Sequence, residues 1–195
     1  MKIDPKFKKP SNNEILLLNN MLDTIKKVLL FIDENLLNKD IIICTKEREV
    51  VLKITKKNVP HMFGISYNGG ANAMWRDFRK NRFTIHNIMI KKDGTTFQKL
   101  SALASLPDLF TSHCFLTGEG IYEKLAFDSS IRTAKLLLAI GLKFDDSDKM
   151  YHPNTALNLK SKILPPGDKV LAIYTEDCET GKIHYLQKNK NFVLR

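Results

Sequence analysis

From residue 11 onward, apolar side chains recur at steps of three and four: Leu18, Met21 or Leu22, Ile25, Leu29, Ile32 and Leu36. This spacing draws one apolar stripe along a long helix. Ser11-Asn12-Asn13-Glu14 stands before it as a capping box, the Ser11 hydroxyl placed to accept from the Glu14 amide while Glu14 reaches back. Asn38-Lys39-Asp40 closes the helix, whose stripe is expected to lie across a sheet. The period then falls to two. Ile41 to Cys44 and Val50 to Ile54 flank a charged turn, Thr45 to Glu49, and predict a hairpin. Its second strand is expected to run to Thr55 and to be ended by Pro60, which cannot donate to a ladder.

Further along, Tyr67 to Gly70 marks a loop and Asn72 to Asn81 a short helix. Phe97 to Leu106 is apolar at helical spacing and is stopped by Pro107. Ile131 to Ile140 predicts another short helix, with Gly141 in the place of a C′ glycine. The carboxy-terminal third turns to strands. Leu142-Lys143-Phe144 and Met150-Tyr151-His152 flank the acidic turn Asp145 to Asp148, and Val170 to Thr175 and Lys182 to Gln187 flank a second turn. The pattern predicts an α+β fold: a long N-terminal helix packed on a mainly antiparallel sheet, with strands concentrated at 41–55 and 142–187. Residues 1–195 are expected to form a single domain, with a basic lead-in at 1–10, a core at 11–188 and a tail at 189–195.

Composition adds the class of partner. A chain that is 43% hydrophobic and 27% charged has the make-up of a soluble globule, with no run apolar enough to span a membrane. The basic start MKIDPKFKKP leads into an amphipathic helix and not into a signal-peptide core, so a cytoplasmic location and no membrane partner are expected. Cys44, Cys114 and Cys178 are odd in number and lack a CxxC pair, which argues against a disulfide framework and a zinc site and predicts reduced thiols. The net charge of +10 is clustered. Residues 72–92 hold Arg76, Arg79, Lys80, Arg82, Lys91 and Lys92 against Asp77 alone, and 182–195 hold Lys182, Lys188, Lys190 and Arg195 with no acid. Beside Trp75, Phe78 and Phe83 these cations fit a nucleic-acid footprint, although a solvated basic face kept for solubility has the same composition.

Phosphate-loop, dinucleotide, zinc-protease and serine-elbow motifs are absent, so metal and cofactor are expected to be none. DDSDKM lacks the glycine and closing glutamate of a calcium loop and is read as a turn. What is left is chemistry by His, Lys, Arg and hydroxyl groups. In TKKNVPHMFGI (55–65), His61 follows lysines at a strand end, where imidazole can move a proton and ammonium groups can hold an anion. A half-buried turn histidine with no role is the plain alternative. Tyr151-His152-Pro153-Asn154-Thr155 repeats the arrangement, with Asn154-Thr155 open equally to a helix cap or an Asx turn. If the two corners face each other, His61 and His152 are base and acid on one phosphodiester. A ribose 2′-hydroxyl is then the nucleophile, and Lys135, Arg76 or Arg79 stabilises the phosphorane.

The TKKNVPHMFGI corner resembles the histidine-containing corner of the phage-associated BECR nucleases (barnase, EndoU, colicin and RelE-like), in particular their fourth subfamily. FQKLSALASLPDLF resembles that family's lysine-leucine helix. IRTAKLLLAIGLKFDDSDKMYHPNTAL resembles its Thr-x-Lys helix, hairpin and Tyr-x-Pro-Asn segment, and KVLAIYTEDCETGKIHYLQ its closing strand pair. The resemblance implies a BECR-like helix-plus-sheet core that cuts RNA without a metal. It implicates His61, Thr133, Lys135, Tyr151, Asn154 and Thr155. Val59-Pro60 before the histidine, Met62 after it, and His152 depart from the family pattern.

The expected function is therefore a metal-independent endoribonuclease, a toxin or effector borne by a phage or mobile element. His61, Lys135, His152 and Thr155 are its candidate catalytic residues, and Arg76, Arg79, Lys80, Arg82, Thr133, Tyr151 and Asn154 its RNA contacts. RNA is the expected partner, along with an antitoxin, immunity protein or host target. The alternative is a non-catalytic phage protein whose basic groove binds nucleic acid or blocks a host or defence enzyme.

Overall fold

The computed structural model describes residues 4–122, 125–134, 138–159, 166–177 and 180–194. A short strand, β1 (Phe7–Lys8), precedes α1 (Asn12–Asn35), which starts at the predicted capping box with both reciprocal bonds made. Leu18, Ile25, Val28, Leu29 and Ile32 are its buried face. The hairpin follows as β2 (Asp40–Cys44) and β3 (Glu49–Lys53). Then come α2 (Asn58–Phe63), β4 (Ile65–Tyr67), α3 (Gly70–Arg79), a 3₁₀ turn at Ile85–Asn87 and β5 (Ile88–Lys91). Helices α4 (Thr95–Leu103) and α5 (Leu106–Thr111) lead to β6 (Cys114–Thr117), β7 (Gly120–Tyr122), β8 (Leu125–Phe127) and β9 (Ser129–Thr133). The chain ends with β10 (Leu138–Asp145), β11 (Met150–Asn158), β12 (Gly167–Lys169), β13 (Ala172–Glu176) and β14 (Ile183–Lys188).

Among the described residues, nine strands form one sheet in the order β12-β6-β9-β10-β11-β3-β2-β13-β14. Every ladder in it is antiparallel except β11–β3, which is parallel and consists of a single pair, Tyr151↔Leu52. The sheet curls. Val170 donates to the Cys114 carbonyl at 3.0 Å and Leu171 to that of Cys44 at 2.8 Å, so one short run leaves β6 and joins β2. Strands β1, β5 and β4 form a small antiparallel sheet, and β7–β8 a separate hairpin. The stripe of α1 shares one core with Ile41, Ile43, Leu52 and Ile54 of the hairpin, and the helix also packs against the 3₁₀ turn, α4 and α5. Phe31 meets Phe110 of α5 at 6.5 Å between ring centroids.

Four expectations are corrected. The helix expected over 131–140 is not found among the described residues: 131–133 end β9 and 138–140 begin β10, paired Arg132 with Ala139, Gly141 lies inside β10, and 135–137 lie outside the described residues. Both faces of these strands are covered, so the apolar run carries no alternation by which to tell strand from helix. Pro60 does not end a strand: β3 stops at Lys53, and Pro60 stands in the first turn of α2, where its missing N–H costs nothing. Pro153 does not end one either. It lies within β11 beside a bulge, where pairing steps from Leu142↔Pro153 to Gly141↔Thr155 and leaves Asn154 as the extra residue. The helix expected over 97–106 divides into α4 and α5, with Pro107 in the first turn of the latter. No helix among the described residues is long and apolar enough to cross a membrane.

Candidate active site

The parallel seam between β11 and β3 opens after one pair, and α2 and α4 fill the gap. Asn58 secures the opening. Its Oδ1 accepts from the Thr55 amide (2.8 Å) and hydroxyl (2.7 Å), and its Nδ2 donates to the Pro153 carbonyl at 3.4 Å. A backbone acceptor on β11 that a neighbouring strand would otherwise satisfy is met by a side chain of α2. Within α2, Val59, Met62 and Phe63 are buried in the core, which turns His61 to solvent. The helix ends at Gly64 in the left-handed region (φ 66), its amide donating to the His61 carbonyl at 3.1 Å. A Cβ on Gly64 would also stand 2.9 Å from Cδ of Lys99, so glycine answers both to the backbone and to the lysine stem passing it.

Lys99 is the group that sequence reasoning missed. It is 9% exposed, and its ammonium donates to Thr155 Oγ1 at 2.8 Å and reaches the His61 carbonyl at 3.5 Å. Thr96, one turn earlier on α4, donates to the Gly64 carbonyl at 2.6 Å and accepts from the Lys91 amide at 2.9 Å. Burial lowers the Lys99 pKa to about 8, with Lys91 lowering it further and Asp93 opposing. An ammonium of that acidity exchanges protons close to neutral pH, which an ordinary surface lysine does not. The signal was present in the sequence: Thr96, Lys99, Leu100 and Leu103 fall on one helical face, so the lysine occupies the apolar phase.

The structure therefore brings together the backbone of His61 and the side chain of Thr155, through Lys99. The other candidates are distributed elsewhere. Arg79 is held bidentate by Asp33 of α1, with Nη2 at 2.6 Å from Oδ1, while Arg76 and Arg82 approach Asp77 at 3.2 and 4.0 Å. Lys80 is exposed at the end of α3. Thr133 is buried and its hydroxyl bridges the Leu138 amide and carbonyl, tying the end of β9 to the start of β10. Tyr151 packs against Phe144 at 5.1 Å and against the core, and Asn154 is exposed at the bulge. His152 meets Asp148 at 2.8 Å. Lys135, like Cys178, lies outside the described residues.

The acidic turn is a hairpin turn, as the sequence predicted, with Ser147 capping Asp145 through its amide (2.9 Å) and hydroxyl (2.7 Å). Ligand atoms of Asp145, Asp148 and His152 lie within 4.8 Å of one another. The two carboxylates already accept protein hydrogen bonds there, Asp148 from the Met150 amide at 3.0 Å. Cys44 and Cys114 are free and buried, and burial pushes both thiols up to about 12.

The chain belongs to the family described as phage-Barnase-EndoU-ColicinE5/D-RelE like nuclease4, whose family model matches residues 24–191. Comparison with curated proteins and with solved structures found no match.

Proposed function

We propose that this member of the phage nuclease family cuts RNA without a metal cofactor, by attack of a ribose 2′-hydroxyl on the adjacent phosphodiester. The observation that carries the reading is the junction of Lys99, Thr155 and His61 at the open seam of the sheet, inside a chain matched by a nuclease family over most of its length. His61 projects into solvent from a helix whose other face is fixed in the core, a placement suited to taking a proton from the 2′-hydroxyl. Lys99 holds positive charge beneath it and, with Thr155, meets the charge that develops on the phosphorane. Of the two histidines, His61 has the stronger claim, because His152 is already committed to Asp148. His152 and Lys135 stand as the candidate second proton-transfer group and phosphate ligand. Arg76, Arg79, Lys80 and Arg82 on or just after α3 offer a cationic face to the strand, with Asn154 contacting it from the bulge.

The deciding experiment incubates the protein, His61→Ala and Lys99→Met with total RNA and tRNA in EDTA, then maps the ends. Wild-type cleavage to 2′,3′-cyclic phosphate is expected, with His61→Ala slower by about 10²–10⁴-fold. Cleavage by His61→Ala at the wild-type rate, or only after a divalent ion is added, would overturn the mechanism. RNA retained by every variant but left intact would assign the scaffold to a binding protein.

A further inference from the structure

Arg132 lies on the face of the large sheet turned away from the main core. On β9 its neighbour Ile131 points into that core with Leu116 and Ile140, and successive strand residues alternate between faces. Arg132 pairs with Phe115 on β6 and Ala139 on β10, while Phe115 pairs with Lys169 on β12. Directly paired residues share a face, so one transverse row reads Lys169, Phe115, Arg132, Ala139. The guanidinium carbon stands 4.6 Å from the centroid of the Phe115 ring.

This arginine lacks what the other described arginines have. Arg79 is clasped by Asp33, and Arg48 donates to the Thr117 carbonyl at 2.6 Å beside Asp168 at 3.8 Å. The Nε of Arg132 is buried without a hydrogen-bond partner, and no described residue forms an ion pair with its guanidinium. Burial lowers its pKa. A guanidinium stays charged in proteins, so a half-buried one with no counter-ion is a standing cost to the fold. Phe115 backs the guanidinium with its ring, and a guanidinium fork grips an anion through paired donors. Lys169 is exposed two strands away, about 10 Å by strand spacing. That separation suits successive charges on a backbone better than one small ion.

We propose that Arg132, backed by Phe115 and flanked by Lys169, binds a phosphodiester group of a nucleic-acid backbone. The site lies on β6, β9 and β12, apart from the junction of α2, α4 and β11, and the proposal rests on RNA being the partner. It makes Arg132 a subsite that holds the strand while the reaction proceeds elsewhere.

The test uses a labelled single-stranded oligoribonucleotide and the His61→Ala background, so that cleavage does not interfere. Binding is followed by anisotropy across a salt series. Arg132→Gln is expected to weaken binding several-fold at low salt and to reduce the log–log salt slope by about one, with Lys169→Gln a smaller loss in the same direction. The melting temperature of Arg132→Gln is expected to equal or exceed that of the parent, since an unpartnered charge has been removed. An unchanged slope and affinity would overturn the proposal. So would a lowered melting temperature with Lys169→Gln silent, which would make Arg132 a structural residue. If inorganic phosphate stabilises the parent but not Arg132→Gln while RNA binding is unaffected, the site takes a small anion and the proposal fails. If the slope falls as expected but the wild type cleaves nothing, the subsite stands and the nuclease reading does not.

Discussion

The ammonium of Lys99 lies 2.8 Å from the hydroxyl of Thr155, and both side chains are buried, at 9% and 2% exposure. One comes from a helix and the other from a strand far along the chain, and the charge carries no carboxylate at hydrogen-bond distance among the described residues. Its folded pKa of about 8 lies below the ordinary lysine value of 10.5. Between those values the unfolded chain binds the proton that the native one has lost, so stability contributed by this group rises with pH. Relative to Lys99→Met, the wild type is expected to gain about 3 kcal/mol between pH 8 and pH 10.5. Urea unfolding of both at three pH values measures it, and parallel curves would refute the burial of the charge.

Gly64 is expected to resist substitution. Alanine there must adopt a left-handed conformation and displace the Lys99 stem, at a cost of about 1–3 kcal/mol. Equilibrium denaturation of Gly64→Ala checks this, and a variant as stable as wild type would show that the corner relaxes freely.

Asn58 divides its two ends between two strands. Asn58→Asp keeps the acceptor for Thr55 and loses the donor to Pro153, whereas Asn58→Ala loses both. Losses of about 1 kcal/mol for the first and about 2–3 kcal/mol for the second are expected from the bonds left unmade. Equal losses would mean that one end alone secures the seam.

Asp33 holds Arg79 through Nε and Nη2, the shorter contact at 2.6 Å, and so competes with RNA for its charge. Asp33→Asn releases it and is expected to tighten RNA binding by roughly two- to fivefold at low salt, for a stability loss of about 0.5–1 kcal/mol. Filter binding with and without the substitution decides the point, and unchanged affinity would remove Arg79 from the RNA-contacting face.

How much the sequence disclosed follows from how local each signal is. The stripe and capping box of α1 lie within a few turns of one another, and they specify the helix as found. The hairpins at β2–β3, β10–β11 and β13–β14 carry their turn residues between them and were equally legible. Strands β9 and β10 were not, because covering both faces erases the alternation from which a strand is recognised. The site divides in the same way. Thr155 and the His61 corner stand in short motifs that the sequence offers as candidates, but Lys99 gains its character from Gly64 and Thr155, residues remote from it in the chain. No window of sequence contains all three.

The path of the sheet also bears on how the chain is made. Strand β2 pairs with β3 at once, but its other edge is closed only by β13, near the carboxy terminus. Until that segment leaves the ribosome, Ile41, Ile42 and Ile43 present an open edge rich in β-branched residues, the composition that recruits foreign strands. Pairings so distant in sequence form late and slowly. Synthesis of this chain therefore passes through a long interval in which its amino-terminal half is at its stickiest, and only the last strands end that exposure.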